Sequence, residues 1–378
     1  MSNLLRRLPL SRLLLLCGLV VVLGVSATAI ALAVGTGPTP PPKPLADAVH
    51  DALSAPPVEG VSASIQLTDH LLEGANLTSG GNGESGGLTS SPLATGASGR
   101  LWIAKDGRVR LELQSEKGDT QIYYDGQHTV SMYDASSNTL YRYVIPAHEG
   151  TPGDSSGSNA GAGATTTGHE IPTVAKIEEA ISHLSKHANV SGATPTDIAG
   201  QAAYTVRVSP NENGSLLGGA ELSWDAVRGV PLRAAIYSST SSSPALELAA
   251  TSISYGPVES SVLEFTPPAN AKVEEVVLPH KHSGADSSTQ PGERPHVTSQ
   301  GHGITSIAVI ESKAKANTGQ NSQTSLPEGL QKVKINGVEA TELPTELGTL
   351  LSFESSGVRY LLAGSVGPAP LEAVAKGL

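Results

Sequence analysis

Apolar and polar residues alternate most regularly between positions 100 and 145. Val109, Leu111 and Leu113 alternate with Arg108, Arg110, Glu112 and Gln114, the period of two expected of a strand with one buried face. Asp106-Gly107 and Asp125-Gly126 separate strand-like runs and supply the positive φ of hairpin turns. Ser136-Ser137-Asn138 makes a third turn before a run at 140–145. Further strands are predicted at 61–68, 203–209, 220–224, 232–237 and 246–255. Two segments carry helical spacing instead: 45–53, with Leu45, Val49 and Leu53 on one face, and 173–187, with Val174, Ile177, Ile181 and Leu184. Strands, one helix and then strands predict a large antiparallel sheet with the 173–187 helix packed on its concave face.

Beyond a polar linker at 280–302 the pattern resumes in a smaller β-rich unit, 303–378. Strands are predicted at 304–311, 331–335, 350–354 and 358–362, with Asn336-Gly337 as a hairpin turn. A closing helix at 370–378 starts on Pro370, which suits a first turn. Its apolar stripe is Leu371, Val374, Ala375 and Leu378. The large unit spans 45–279 and is interrupted at 74–99 and 149–169 by Gly- and Ser-rich stretches that read as flexible insertions.

The N-terminus adds a targeting signal. Arg6, Arg7 and Arg12 precede an apolar run at 13–34, roughly 22 residues against the about 20 that span a bilayer. The positive-inside rule places the body of the chain outside the cytoplasm. Residues 1–34 are a signal anchor giving a single-pass cell-membrane protein, or a signal peptide cleaved near Ala27-Thr28-Ala29 or Ala31-Leu32-Ala33 to release a secreted one. Residues 35–44 form a Pro/Gly tether. Cys17 is the one cysteine, so no internal disulfide forms.

Composition narrows the class further. Charged residues make up 16% and aromatics 3%, with 41 Gly and 26 Pro; this favours loop-rich β structure over helical bundles. A net charge of −11 argues against nucleic acid as a partner. Catalytic motifs are matched only in letter. Gly153-Asp154-Ser155-Ser156-Gly157 fits G-x-S-x-G but lacks the strand and helix that the nucleophile needs. Gly81–Gly86 fits G-x-G-x-x-G without a strand feeding a helix. His280, His282, His296 and His302 fall in the linker, without the fixed geometry a metal requires. His183 and His187 are four apart, but Leu184 stands where the H-E-x-x-H glutamate would be. The expectation is a protein that is not an enzyme, with no catalytic residue, metal or cofactor. Trp102 and Trp224 are expected to pack in the core or against the sheet; their functional role would be to line or rim an apolar cavity.

Three segments together resemble the LolA/RseB (MucB) superfamily of extracytoplasmic lipoprotein-binding half-barrel proteins. The first runs from Arg100-Leu101-Trp102-Ile103-Ala104 through Ile122-Tyr123-Tyr124-Asp125-Gly126 to Asn138-Thr139-Leu140-Tyr141. The second is Leu222-Ser223-Trp224-Asp225 with Gly229-Val230-Pro231-Leu232-Arg233. The third is Phe265-Thr266-Pro267-Pro268 with Ala271 and Val273. Lys334–Val338, Leu351–Glu354 and Gly357–Tyr360 look like the small second domain of the RseB group. The resemblance implies a mainly β (α+β) fold, a curved antiparallel half-barrel sheet covered by helices, plus a small β-rich C-terminal domain. It also implies a lipid-sized apolar cavity and no cofactor. Candidate cavity residues are Leu101, Ile103, Val109, Leu111, Leu113, Ile122, Trp224, Leu232 and Ile236; sequence leaves open which strand parity faces inward. The expected partners are acyl chains of lipids or lipoproteins. The alternative is an envelope-stress regulatory module that binds the extracytoplasmic part of a membrane anti-sigma factor or a similar partner. The two long insertions and the anchor depart from the superfamily's carrier pattern.

Overall fold

The structure, a computed structural model, describes residues 37–72, 96–116, 118–145, 171–276, 296–313 and 330–378. The expected anchor at 13–34, Cys17, Gly81–Gly86, Ser155, His280 and His282 lie outside the described residues, as do most of the two insertions and of the linker. The protein is mainly β, with one large open curved sheet and a separate smaller antiparallel sheet.

The large sheet is built from β1 (Gly60–Asp69), β2 (Ala97–Ala104), β3 (Val109–Ser115), β4 (Gly118–Tyr124), β5 (Thr129–Asp134), β6 (Thr139–Val144), β7 (Ala188–Val190), β8 (Thr194–Ile198), β9 (Gln201–Pro210), β10 (Leu217–Asp225), β11 (Pro231–Ser238), β12 (Pro244–Tyr255) and β13 (Lys272–Glu275). Its order is β13-β6-β5-β4-β3-β2-β1-β12-β11-β10-β9-β7, with β8 also paired to β9. The predicted meander is β2 to β6. Its turns close by side-chain capping: the Asp125 carboxylate accepts the N–H groups of Gln127, His128 and Thr129 at 2.8–2.9 Å. Asn138 takes the left-handed conformation at φ 47° that Asn tolerates.

Register divides the sheet into two faces. Val61, Ala63, Ile65 and Leu67 of β1 stand opposite Ile103, Leu101, Gly99 and Ala97 of β2, and these opposite Val109, Leu111 and Leu113 of β3. On the other side of β1 the same face continues through Leu248 and Ala250 of β12. Together these residues form the largest buried apolar cluster. Ile198 and Ala199, at the β8–β9 turn, pack against it. Three strand spacings separate β9 from β12, roughly 14 Å in a flat sheet, so this contact requires the sheet to curl and makes the apolar face the concave one.

Helix α1 (Leu45–Ser54) lies on that face at β9 and β10, where Ala48 packs with Ala193, Tyr204 and Trp224. Helix α2 (Val174–Leu184) is shorter than the predicted 173–187 and buries only Ile177. It rests on α1 and β7, so the helix directly on the sheet is α1. Small Ala46 and Ala48 let α1 approach closely, and α2 forms an outer layer, tied on where the Pro172 carbonyl meets His50 Nδ1 at 3.0 Å.

After β12 the chain crosses the convex face as a strap. Helix α3 (Ser260–Leu263) sits on β3, and the Arg110 guanidinium donates to the Val262 carbonyl at 2.7 Å. Phe265 stacks on Tyr123 at 4.2 Å and lies 5.8 Å from Tyr133. β13 then adds to the β6 edge, the one parallel pairing among the described strands.

The small sheet comprises β14 (His296–Gln300), β15 (Ile307–Lys313), β16 (Gln331–Ile335), β17 (Val338–Thr345), β18 (Gly348–Ser355) and β19 (Val358–Gly364), in the order β14-β15-β19-β18-β17-β16. Helix α4 (Pro368–Lys376) covers one face and buries Leu371 and Ala375 against Leu351 and Leu362. Strands β7, β8 and β13 were not predicted, and three further segments differ from their sequence reading. β2 starts at Ala97, inside the expected insertion, because inward-facing Ala97 and Gly99 are small for packing rather than for flexibility. β14 lies within the expected linker and pairs backbone groups while leaving its side chains largely exposed. β17 was not predicted because it carries Glu339, Glu342 and Pro344. β16 pairs only as far as Glu342, so the missing Pro344 N–H costs the ladder nothing there.

Candidate functional site

The concave face places most of the nine residues singled out from sequence on one surface. Leu101, Val109, Leu111 and Leu113 are buried against one another, with Ile103 and Ile122 half-buried beside them. Ile236 is half-buried between Ala220 of β10 and Leu246 of β12. Leu232, at a bulge opposite Ser223–Trp224, is fully buried. Trp224 packs under α1, 6.2 Å from the Tyr204 ring, and its buried indole N–H has no hydrogen-bond partner. Inward parity is odd on β2 and β3 and even on β4.

The same register carries the concave face past the packed cluster. Ile122 and Tyr124 of β4 stand opposite Met132 and Val130 of β5, and these opposite Tyr141 and Tyr143 of β6. All six are half-buried. The described helices pack elsewhere: α1 on β9 and β10, α2 on α1 and β7, and α3 on the convex side. Tyr124, Val130, Met132, Tyr141 and Tyr143 were not among the candidates. Their signal was available, because the alternation that singled out Ile122 continues through the Asp125-Gly126 and Ser136–Asn138 turns.

Two clefts mark the ends of β1. At the Gly60 end a cleft of about 320 Å³ is lined by apolar Val58, Val61, Ile103, Val230 and Pro231, with Lys105 and Arg228 also on its wall. Lys105 pairs with Glu59 at 2.6 Å. Arg228 lies 4.3 Å over the Tyr255 ring and 3.4 Å from Asp225. At the Asp69 end a more polar cleft of about 600 Å³ includes Gln66, Asp69, His70, Ser98 and Gln114. Burial raises the Asp69 carboxyl above its ordinary value, against the lowering effect of the Leu71 N–H.

The convex face is built differently. Arg233 donates to Glu221 at 2.6 Å and to Glu247, and Arg207 donates to Glu221 at 2.9 Å while lying 4.3 Å over the Tyr237 ring. Burial alone would raise the Glu221 carboxyl, but hydrogen bonds from Arg233, Tyr237 and Arg207 hold it below the usual range. Small Ala235 and Ala249 between these long side chains are buried. This network is structural: each of its charges is paired. Among the described residues no group of three His, Cys, Asp or Glu is placed to hold a metal. No helix among them is long and apolar enough to cross a membrane.

The small unit sits at the Asp69 end. Leu216 N–H and Ser215 Oγ donate to the Ser365 carbonyl at 2.7 and 3.1 Å. Glu346 N–H reaches the Leu71 carbonyl at 3.0 Å, and Ile304 N–H the Glu212 carboxylate at 3.2 Å.

No protein-family model and no curated protein sequence matches the chain. Solved structures similar to it include the MucA/MucB complex of Pseudomonas aeruginosa, at 14% identity over 88% of this chain and 96% of that one, with a TM-score of 0.40. A conserved protein of Thermus thermophilus is similar at 11% identity, over 61% of this chain and 97% of that one, with a TM-score of 0.33. A putative outer membrane lipoprotein-sorting protein domain from Vibrio parahaemolyticus is similar at 8% identity, over 56% and 91%, with a TM-score of 0.22.

Proposed function

We propose that this chain is a non-enzymatic, extracytoplasmic binding protein whose concave apolar face holds acyl chains of lipids or lipoproteins. The observation that carries the reading is the strip of Ile122, Tyr124, Val130, Met132, Tyr141 and Tyr143, an apolar surface continuous with the core. The buried candidates Leu101, Val109, Leu111 and Leu113 form the packed floor, and the strip beside them is where a chain would lie. Burying a methylene is worth roughly 0.8 kcal/mol, so about a dozen methylenes supply enough to offset the cost of immobilisation. The N-terminal apolar run with its preceding arginines supports placement outside the cytoplasm, tethered to the membrane through 13–34 if uncleaved. The test is organic extraction of the purified full-length protein followed by mass spectrometry, with binding of a fluorescent fatty acid in parallel. Acyl lipid near one equivalent supports the reading; neither extractable lipid nor probe binding rejects it.

A second reading follows from the join between the units. The small sheet meets the large one through backbone and side-chain hydrogen bonds at three places, a join of the kind that permits relative motion of domains. Such a pair could clasp the extracytoplasmic part of a membrane protein, an anti-sigma factor or a similar partner. Cross-linking in intact membranes separates the two: a stoichiometric protein and no lipid would favour the clasp.

A further inference from the structure

The core of the small unit contains a carboxyl group that a strand of this kind does not need. On β17 the residues facing α4 are Ala340, Glu342 and Pro344, because Ala340 stands opposite Phe353 and Glu342 opposite Leu351. Glu342 is 2% exposed, and its Oε1 is buried with no hydrogen-bond partner. Its surroundings are Leu351 on β18, Gln331 on β16 and helix α4 packed across β16, β18 and β19.

We infer that Glu342 gates the docking of α4 on proton uptake, holding the helix firmly when protonated and loosening it when ionised. A neutral carboxyl tolerates this apolar site, whereas a carboxylate there is buried without a counter-charge of its own. The charged groups facing it are few. α4 brings Glu372, paired at 2.8 Å with Lys376, so the cation is engaged and the nearest helix charge is another carboxylate. Lys332 and Lys334 of β16, Glu339 of β17, Glu354 of β18 and Arg359 of β19 alternate out of register with Glu342 and fall on the opposite face. Burial, and after it the Glu372 charge, raise the Glu342 carboxyl above its ordinary value.

The sign follows from the raised value. The docked state binds the proton more tightly than the undocked one, so docking is strongest below the ordinary carboxylate value. It weakens as pH rises from there to the raised value, and is constant above it. The gate is wired to the join between the units. α4 begins three residues after Ser365, whose carbonyl accepts from both Leu216 and Ser215. The Val366 carbonyl between them is held by Thr349 Oγ1 at 2.8 Å. Loosening α4 therefore relaxes the segment that seats the small unit on the large one.

Hydrogen exchange of the full-length chain from about pH 5 to about pH 8, corrected for intrinsic exchange, tests this. In the unmodified protein, protection of α4 and of the Leu216 amide falls as pH rises. In Glu342→Gln the fall is absent, and α4 at the top of the range is about tenfold better protected, because a neutral amide brings no unpaired charge into the apolar site. Glu372→Gln keeps the titrating residue but removes the neighbouring charge, so its fall ends at a lower pH. It also serves as the independent variant if Glu342→Gln does not fold. A flat profile in the unmodified protein overturns the inference, as does a slope in Glu342→Gln equal to the unmodified one, or one unmoved by Glu372→Gln.

Discussion

Gly99 shows how tightly the residue scale is set. A Cβ there would lie 1.9 Å from the Glu112 carbonyl oxygen of the neighbouring strand, so β2 and β3 close only around a hydrogen atom. Gly99→Ala should destabilise the large unit by about 1–3 kcal/mol, the range for overpacking, as read from urea unfolding. Asp225 is equally specific. Its buried carboxylate accepts the N–H groups of Val227 and Arg228 at 2.8 Å and the Tyr255 hydroxyl at 2.7 Å. Asp225→Ala leaves all three donors without that acceptor, and a loss of about 2–4 kcal/mol is expected in the same measurement. Tyr123, stacked under Phe265, has its hydroxyl pushed up to about 12, chiefly by burial. Its stabilising contribution is intact below the ordinary tyrosine value and is lost as pH rises through that of the folded state. Absorbance titration should show the buried tyrosines, Tyr123 and Tyr255 among them, ionising well after the exposed ones.

At the scale of elements, the strap and the open strip make separate demands. Phe265 is the anchor of the strap, since α3 is short and β13 is almost wholly exposed. Phe265→Ala should cost roughly 1–3 kcal/mol, less than a fully buried Phe. Amide exchange at β6 and β13 should rise more than at β2. The strip answers to a different substitution. Met132→Asp places a charge on the concave surface outside the packed cluster, so fatty-acid binding should drop at least tenfold while the unfolding midpoint changes little. What the sequence made legible divides along the same line. Alternation in β1 to β6 was readable because one face is apolar and the other polar, and Asp-Gly turns punctuate it. The candidate residues followed from that alternation. Parity did not, since Arg110, Trp102 and Tyr123 give the convex face an amphipathic character of its own under the strap. β17 escaped notice because its inward row, Ala340–Glu342–Pro344, imitates a loop. The position of α2 could not be read because an amphipathic stripe specifies that a helix packs, and leaves open against which surface.

For the whole molecule, the pairing of β1 is decisive. β1 takes one neighbour from nearby in the chain, β2, and the other from far away, with Val61 opposite Tyr255. Everything between must be made and threaded before the concave face is complete. Closing so long a loop is slow relative to forming local hairpins. Pulse-labelled exchange during refolding should therefore find β2 to β4 protected first, and β1 and β12 last. For a chain made from its N-terminus, β1 spends that interval with one edge unmet and its row of Val61, Ala63, Ile65 and Leu67 only half covered. The same pairing that completes the curved sheet thus makes its first strand an aggregation hazard until β12 arrives. A chaperone that shields an exposed strand edge should raise the yield of this protein more than one that accelerates hairpin formation.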